Sequence, residues 1–205
     1  MDTYQVREEL KPKGLDGISD AQIEDHWGLY KGYVAQANAL RKELGELRAA
    51  GRGGEPIFAD RRRRFGFEYG GMVLHEYYFG NLRTGIGSLT EGGFAAAVVE
   101  QFGSFDDWLK DLVNTGKTRG IGWAVCALDP ATGVIINQFI QLHEEGAIAA
   151  FLPLVVLDVF EHAYMVDHRA GGRAAYIDAF VKNIDWEKVE RRFIAGREGR
   201  VPERF

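Results

Sequence analysis

The chain has 205 residues, of which 46% are apolar and 27% are charged, and its formal net charge is −5. This composition is ordinary for a globular protein with a sizeable core, and it excludes disordered and fibrous classes. The basic residues, including the run RRRR at 61–64, are dispersed among acidic ones, so we expect no nucleic-acid partner.

The N-terminal half is predicted to be helical throughout. Apolar residues recur at helical spacing after Ile18, with Ser19 or Asp20 available as the N-cap, and the sequence GRGGEP at 51–56 ends this first helix. A second long helix is expected to pack against the first as a helical hairpin. The predicted helices of this half lie at 18–50, 59–82, 94–102 and 105–115.

The C-terminal half is predicted to combine helices with a small antiparallel sheet. Two β-rich runs flank the turn sequence DPATG, and a third apolar run follows them. The predicted strands lie at 121–129, 133–142 and 147–157, and the helices after them at 159–166, 173–183 and 186–196. The sequence therefore predicts an α+β fold, with an N-terminal helical-hairpin domain at 1–88 and a C-terminal α/β domain at 89–205 that contains a three-stranded antiparallel sheet.

The stretch LDVFEHAYMVDH at 157–168 places ionisable side chains directly after an apolar run. Buried charges cost several kcal/mol unless they are paired or bound to a metal. Asp158 and His162 are four residues apart, so on a helix they would point the same way, one turn apart. A single pair of this kind is more often a helix N-cap with a core histidine, so it is weak evidence alone.

Two further histidines, His26 and His75, lie in the two long predicted helices among aromatic residues. Each one singly is more often a core histidine. Antiparallel packing of the helices would bring them together, and with Asp158 and His162 they would form a site of three histidines and one carboxylate. This set of donors suits iron or manganese, and the lack of cysteine ligands argues against a structural zinc site.

Several longer motifs occur along the chain, namely HEYYFGNL, FGSFDDWLKDL, GIGWAV, LDVFEHAYM and YIDAFVKNIDWEKVERRF. In their order and spacing they closely resemble the iron/manganese superoxide dismutase family, and the resemblance extends over nearly the whole chain. It implies a superoxide dismutase with superoxide as substrate, one iron or manganese ion per chain, and a homodimer or tetramer. The rival interpretation is an inactive dismutase-like structural or assembly protein that binds a partner without turnover.

By position, the resemblance implies four metal ligands: His26, His75, Asp158 and His162. Glu161 falls where the family uses a glutamate of one subunit to accept the spare imidazole N–H of the last ligand in the other subunit. The alternative for Glu161 is an exposed helical glutamate.

The resemblance also implies residues that surround the ligands. His143 would hydrogen-bond the metal-bound solvent, as in a variant subgroup of the family, because Gly71 at the alternative position has no side chain to offer. Tyr33 would gate substrate entry. The alternatives are a loop histidine and a core tyrosine. The implied apolar shell consists of Trp123, Phe79 and Phe160.

The chain departs from the usual family pattern between His26 and Tyr33, which are seven residues apart instead of eight, without a histidine between them. Seven residues fall about 20° short of two helical turns, so we predict a regular helix here without a π-bulge. Met165 replaces the tyrosine that commonly follows EHAY, so both partners of one family contact across the dimer are absent together.

The surroundings of the protein are predicted from its single cysteine and its N-terminus. Cys126 excludes an internal disulfide and favours a reducing compartment. The N-terminal segment lacks the apolar region of a signal peptide, and the chain has no run of about 20 apolar residues, so we expect a cytoplasmic protein with no membrane partner. Because the net charge would repel superoxide, local cations are needed at the site, and Lys31 and Arg169 are the nearest candidates in the sequence.

Overall fold

The computed structural model describes residues 3–85, 91–201 and 203–204. Its helices are α1 (Asp20–Ala49), α2 (Pro56–Gly80), α3 (Gly93–Phe102), α4 (Phe105–Gly116), α5 (Met165–His168), α6 (Arg173–Lys182) and α7 (Trp186–Arg197), with short 3₁₀ helices at Glu8–Leu10 and Glu161–Ala163. Its strands are β1 (Gly122–Leu128), β2 (Ile135–Gln141) and β3 (Leu152–Asp158). The predicted α+β class is confirmed, whereas the predicted domain boundary at 88–89 lies outside the described residues.

The two long helices form the predicted hairpin. Ser19 caps α1, since its hydroxyl accepts a hydrogen bond from the backbone N–H of Gln22 at 3.1 Å. The chain reverses after α1 through Gly51, whose φ of 70° favours glycine. Helix α2 begins three residues earlier than predicted because Pro56 occupies its first turn, where a proline is preorganised for the helix.

The helix α1 is regular along its whole length, from Asp20 to Ala49. The prediction of a regular helix between residues 26 and 33 is therefore confirmed. Its inward face buries aromatic and aliphatic side chains against α2, and among them Trp27 and Tyr30 are almost wholly inaccessible to solvent. This packing fixes the rotation of α1 and so the direction in which His26 points.

The sheet is antiparallel with the order β2-β1-β3, so the first strand is central. All seven residues of β1 are buried, which matches its continuous apolar sequence. The register pairs Trp123 with Ile140 on one side and with Asp158 on the other. The sheet therefore places the indole of Trp123 next to the last residue of β3.

The helix predicted at 159–166 is wrong. Asp158 is the final residue of β3, the 3₁₀ helix at Glu161–Ala163 follows, and α5 is a single turn. The hydrogen-bonded ladder between β1 and β3 keeps the backbone of Asp158 extended, so no helix begins at this residue despite the helical spacing of Asp158 and His162. The Asp158 carboxylate then accepts a hydrogen bond from the backbone N–H of Phe160 at 2.8 Å, which favours a turn over a helix.

One apolar core runs through both halves, from the helical hairpin to the sheet and α6. It includes side chains from α1, α2, β1 and β3, so the site elements are packed against a single interior. In the parts of the chain that the structure describes, no helix combines the length and the apolar character that crossing a bilayer requires.

Candidate metal centre

Four side chains from four different elements converge in the core. His26 comes from α1, His75 from α2, Asp158 from the end of β3 and His162 from the 3₁₀ helix. One donor atom from each lies within 4.8 Å of the donor atoms of the other three. His26, His75 and Asp158 are fully buried, and His162 is partly exposed. The structure thus brings together all four residues that the sequence singled out as ligands.

The Asp158 carboxylate is the hub of this cluster. Its Oδ2 lies 3.1 Å from Nε2 of His26, 3.1 Å from Nε2 of His162 and 3.7 Å from Nε2 of His75. Metal–ligand distances of roughly 2.0–2.2 Å place neighbouring ligands about 3–4 Å apart. The spacing around Oδ2 therefore matches donors that surround one small ion.

The orientation of His75 is set by α2 itself. Its Nδ1–H donates a hydrogen bond of 2.6 Å to the carbonyl of Gly71, one turn earlier. This bond fixes the tautomer, so Nε2 carries a lone pair that points into the cluster. Among the described residues, Nε2 of His75 is buried without a hydrogen-bond partner. A cation at the centre of the cluster would satisfy this atom, so the residues fit a metal ion.

The protonation states of the cluster also suit metal binding. Burial lowers the pKa of His26 and holds that of His75 well below its usual range. Burial alone would raise the pKa of the Asp158 carboxyl, but His162 and His26 beside it hold this pKa below its usual range. Neutral His26 and His75 imidazoles and an ionised carboxylate are the forms that ligate metals.

A second hydrogen-bonded chain lies beside the cluster. The indole N–H of Trp123 donates to Nδ1 of His143 at 3.1 Å, and Nε2 of His143 lies 2.7 Å from the hydroxyl of Tyr33. Because an indole is only a donor, Nδ1 of His143 is unprotonated and its Nε2–H donates to the Tyr33 oxygen. Burial agrees with this neutral state, since it lowers the pKa of His143 to about 4.

Aromatic rings enclose the cluster. Phe79 lies 5.0 Å from the ring of His26, and Trp123 lies 4.9 Å from that of His75. The ring of Phe160 stacks on His162 at 5.0 Å and on His143 at 5.0 Å, so it fills the space between them. The three residues predicted to form an apolar shell thus all lie against the cluster.

Comparison with known proteins gives one consistent result. The family model for the C-terminal domain of iron/manganese superoxide dismutases matches residues 90–192. An iron superoxide dismutase of Aquifex aeolicus is 36% identical over 197 residues, which cover 92% of this chain and 90% of the relative. An iron superoxide dismutase of Cupriavidus metallidurans is 35% identical, and the match covers 91% of this chain and 96% of the relative. A manganese superoxide dismutase of Haloferax volcanii is 30% identical, and the match covers 80% of each chain. The chain belongs to the iron/manganese superoxide dismutase family.

Tyr33 has a steric requirement that the sequence did not reveal. In this member of the superoxide dismutase family, a Cβ atom added at Gly71 would lie 2.6 Å from the Tyr33 ring. The sequence suggested only that Gly71 has no side chain to offer, whereas the structure shows that the missing side chain makes room for Tyr33. The carbonyl role of Gly71 was also missed, although its position four residues before His75 on one helix was a usable signal.

The remaining predicted residue, Glu161, does not join the cluster within the single chain. Its side chain is exposed, and it makes no hydrogen bond to the part of the chain that the structure describes. His162 is held instead through its backbone carbonyl, which accepts a hydrogen bond of 2.7 Å from the Gln22 amide. That role for Gln22 was missed, and no local sequence pattern signals it because 140 residues separate the two.

Proposed function

We propose that this protein is a superoxide dismutase that works with one iron or manganese ion, held by the four-residue cluster. The observation that carries this function is the convergence of His26, His75, Asp158 and His162 in a chain of the iron/manganese superoxide dismutase family. An iron or manganese ion held by these four residues would supply one-electron redox chemistry, by which one superoxide would be oxidised to dioxygen and a second would be reduced, with two protons, to hydrogen peroxide.

The charge of the cluster favours an anionic substrate. Asp158 contributes one negative charge, and the histidines contribute none when they are neutral. A divalent or trivalent cation in this set would leave a net positive centre, which attracts a small anion. The rings of Phe79, Trp123 and Phe160 keep bulk water away, which strengthens that attraction.

Tyr33 and His143 hold protons at the edge of the cluster. Burial raises the pKa of the Tyr33 phenol to about 12, so the hydroxyl stays protonated at neutral pH. Since the Tyr33 oxygen already accepts from Nε2–H of His143, its own O–H is free to donate toward a substrate anion. In this proposal Tyr33 is the gate and immediate proton donor. Because Trp123 and Tyr33 occupy both ring nitrogens of His143, His143 orients Tyr33 instead of hydrogen-bonding a metal-bound solvent directly, which is the role that the family resemblance implied.

We propose a homodimer in which the Glu161 carboxylate of one copy accepts a hydrogen bond from the Nδ1–H of His162 in the other copy. Two features support the assignment. Glu161 is exposed, and within the described residues Nδ1 of His162 has no hydrogen-bond partner. A carboxylate on a ligand imidazole fixes its tautomer and its orientation.

The sequence leaves a tetramer open, and we propose a cytoplasmic location on the lack of disulfide chemistry.

Metal-dependent activity tests the function directly. The protein is expressed separately in iron- and manganese-supplemented medium, and metal content and superoxide dismutation are measured on each preparation. We expect about one ion per chain and activity with at least one of the metals. Asp158→Asn is expected to lose the ion and the activity. His168→Gln, which removes a histidine outside the cluster, is expected to keep the ion and the activity. Full occupancy without activity would favour the assembly-protein interpretation.

A further inference from the structure

A cavity of about 470 Å³ opens between α1 and α2, with Tyr33 in its wall. Because Tyr33 also touches the ring of His75 at 5.0 Å, this cavity reaches the side of the metal cluster on which the gate lies. Its charged lining residues are Arg64 and Glu68, both from α2, and the other lining residues carry no charge. Lys31 and Arg169, the cations suggested by the sequence, are not among the residues that line it.

The guanidinium of Arg64 is held in place at this opening. Its Nε donates to the Glu68 carboxylate at 2.7 Å, and a second guanidinium nitrogen lies 2.5 Å from the same oxygen. The guanidinium also lies over the ring of Phe67, 4.5 Å from its centroid. The Phe67 ring in turn makes an edge contact with His143 at 4.5 Å. A single aromatic ring therefore separates this cation from the hydrogen-bonded pair of His143 and Tyr33.

The other arginines of the RRRR run have different surroundings. Arg61 pairs with Glu43, and Arg62 lies over the ring of Phe58. Arg63 is exposed and does not line the cavity. Arg64 is thus the member of the run directed at the gate. Burial is the largest influence on the pKa of both Tyr33 and His143. The Arg64 charge lowers both pKa values, whereas Asp158 and Glu68 raise that of Tyr33.

Helix stability does not explain the pair of Arg64 and Glu68. In an (i, i+4) pair the order with the acid first is the better one, and here the arginine comes first. The arginine end of this pair is exposed, which weakens its contribution to helix stability. Glu68 is buried, so without Arg64 its negative charge would stand uncompensated on the path of an anion.

We propose that Arg64 receives superoxide at the mouth of the cavity and directs it to Tyr33, and that Glu68 is a positioning residue that holds the guanidinium there. This inference rests on the proposed dismutase function. It explains how a chain with a net charge of −5 attracts an anionic substrate, because a cation at the opening acts locally while distant charges are screened by salt.

The test compares metal-loaded Arg64→Gln with Arg63→Gln, which removes the same charge one residue away. Two quantities are measured: kcat/KM for superoxide as a function of ionic strength, and the dissociation constant of azide, a small monovalent anion, from the absorbance of the bound metal. For Arg64→Gln we expect kcat/KM about three- to tenfold lower at low ionic strength and weaker azide binding by a similar factor, with both differences shrinking as salt is added. Arg63→Gln is expected to stay within about twofold of the unchanged protein.

A second pair of variants separates charge from structure. Glu68→Gln removes the carboxylate that positions the guanidinium, and the double variant Arg64→Gln/Glu68→Gln removes the cation as well. If Arg64 receives the anion, the double variant is expected to bind azide more weakly than both Glu68→Gln and the unchanged protein. Recovery of the unchanged affinity in the double variant would mean that Arg64 only compensates the charge of Glu68, and it would overturn the proposal. Equal azide affinities and equal salt dependence for Arg64→Gln and Arg63→Gln would overturn the proposal for Arg64. If the unchanged holoprotein shows no dismutation, the function fails instead, and the azide comparison still decides the role of Arg64.

Discussion

The two halves of the chain each contribute two residues to the metal cluster, but they hold them in different ways. His26 and His75 stand on long regular helices whose rotation is fixed by packing. Asp158 and His162 stand at the end of a strand and in the tight turn that follows it. Helical periodicity is visible in a sequence, whereas the strand end depends on pairing with β1. The position of two ligands therefore depends on local helical structure, and that of the other two depends on tertiary contacts.

Removing one ligand from each half gives the largest expected effect. His75→Gln and His162→Gln are both expected to lose the ion and to lower dismutation by on the order of a thousandfold, because the redox chemistry depends on the metal. Metal content and activity are measured together, with His168→Gln as the control. If His162→Gln kept full metal and activity, His162 would not be a ligand and the four-residue site would be wrong.

The hydrogen-bonded chain beside the cluster gives the next largest effect. His143→Ala removes the donor to Tyr33 but none of the four clustered residues. We expect the ion to stay bound while turnover falls about 10- to 100-fold and the reduction potential shifts. Metal analysis and redox titration of the purified variant check this. Loss of metal from His143→Ala would place His143 among the ligands.

The packing of Tyr33 on α2 is tested by two glycine substitutions. Gly71→Ala would push a methyl group against the Tyr33 ring, so we expect it to lower the free energy of unfolding by about 1–3 kcal/mol. Gly66→Ala lies on the same helix with open space around it, and we expect it to raise that free energy by about 0.5–1 kcal/mol. Chemical denaturation measures both, and equal effects would contradict the close contact.

The smallest effect concerns Cys126, inside the central strand of the C-terminal half. Burial raises the pKa of its thiol, so the reactive thiolate is scarce in the native protein. We expect almost no alkylation of the metal-loaded protein at pH 8 and one labelled thiol per chain after unfolding in denaturant. Rapid labelling of the native holoprotein would show that the central strand opens readily in the native state.

Much of the helical half could be predicted because its signals are local. The seven-residue spacing of His26 and Tyr33 predicted a regular helix, and α1 has no bulge there. The turn after β3 was mistaken for a helix because a separation of four residues is compatible with both structures. Only the ladder between Trp123 and Asp158 and the bond from the Phe160 N–H decide between them. The first of these is a long-range contact that spacing does not reveal.

The surroundings of the site were less predictable than its ligands. The aromatic shell was implied by the family resemblance, and its three rings pack against the ligand histidines in the structure. The steric need for Gly71 depends on where α1 lies against α2, and the direction of Arg64 depends on Glu68 and Phe67 around it. The spacing of Arg64, Phe67 and Glu68 on one helix could have suggested their mutual contacts. The position of this face beside Tyr33 and the need for a glycine at 71 could not, since both are set by the rotation of packed helices about their axes.

The central claim is that residues from both halves hold a single ion. Anomalous X-ray diffraction from crystals of the metal-loaded protein tests it most directly, because it locates the ion and identifies the element. We expect one site per chain, with Nε2 of His26, His75 and His162 and one oxygen of Asp158 all within about 2.0–2.3 Å of the ion. An ion bound elsewhere, or bound by the residues of one half only, would contradict it.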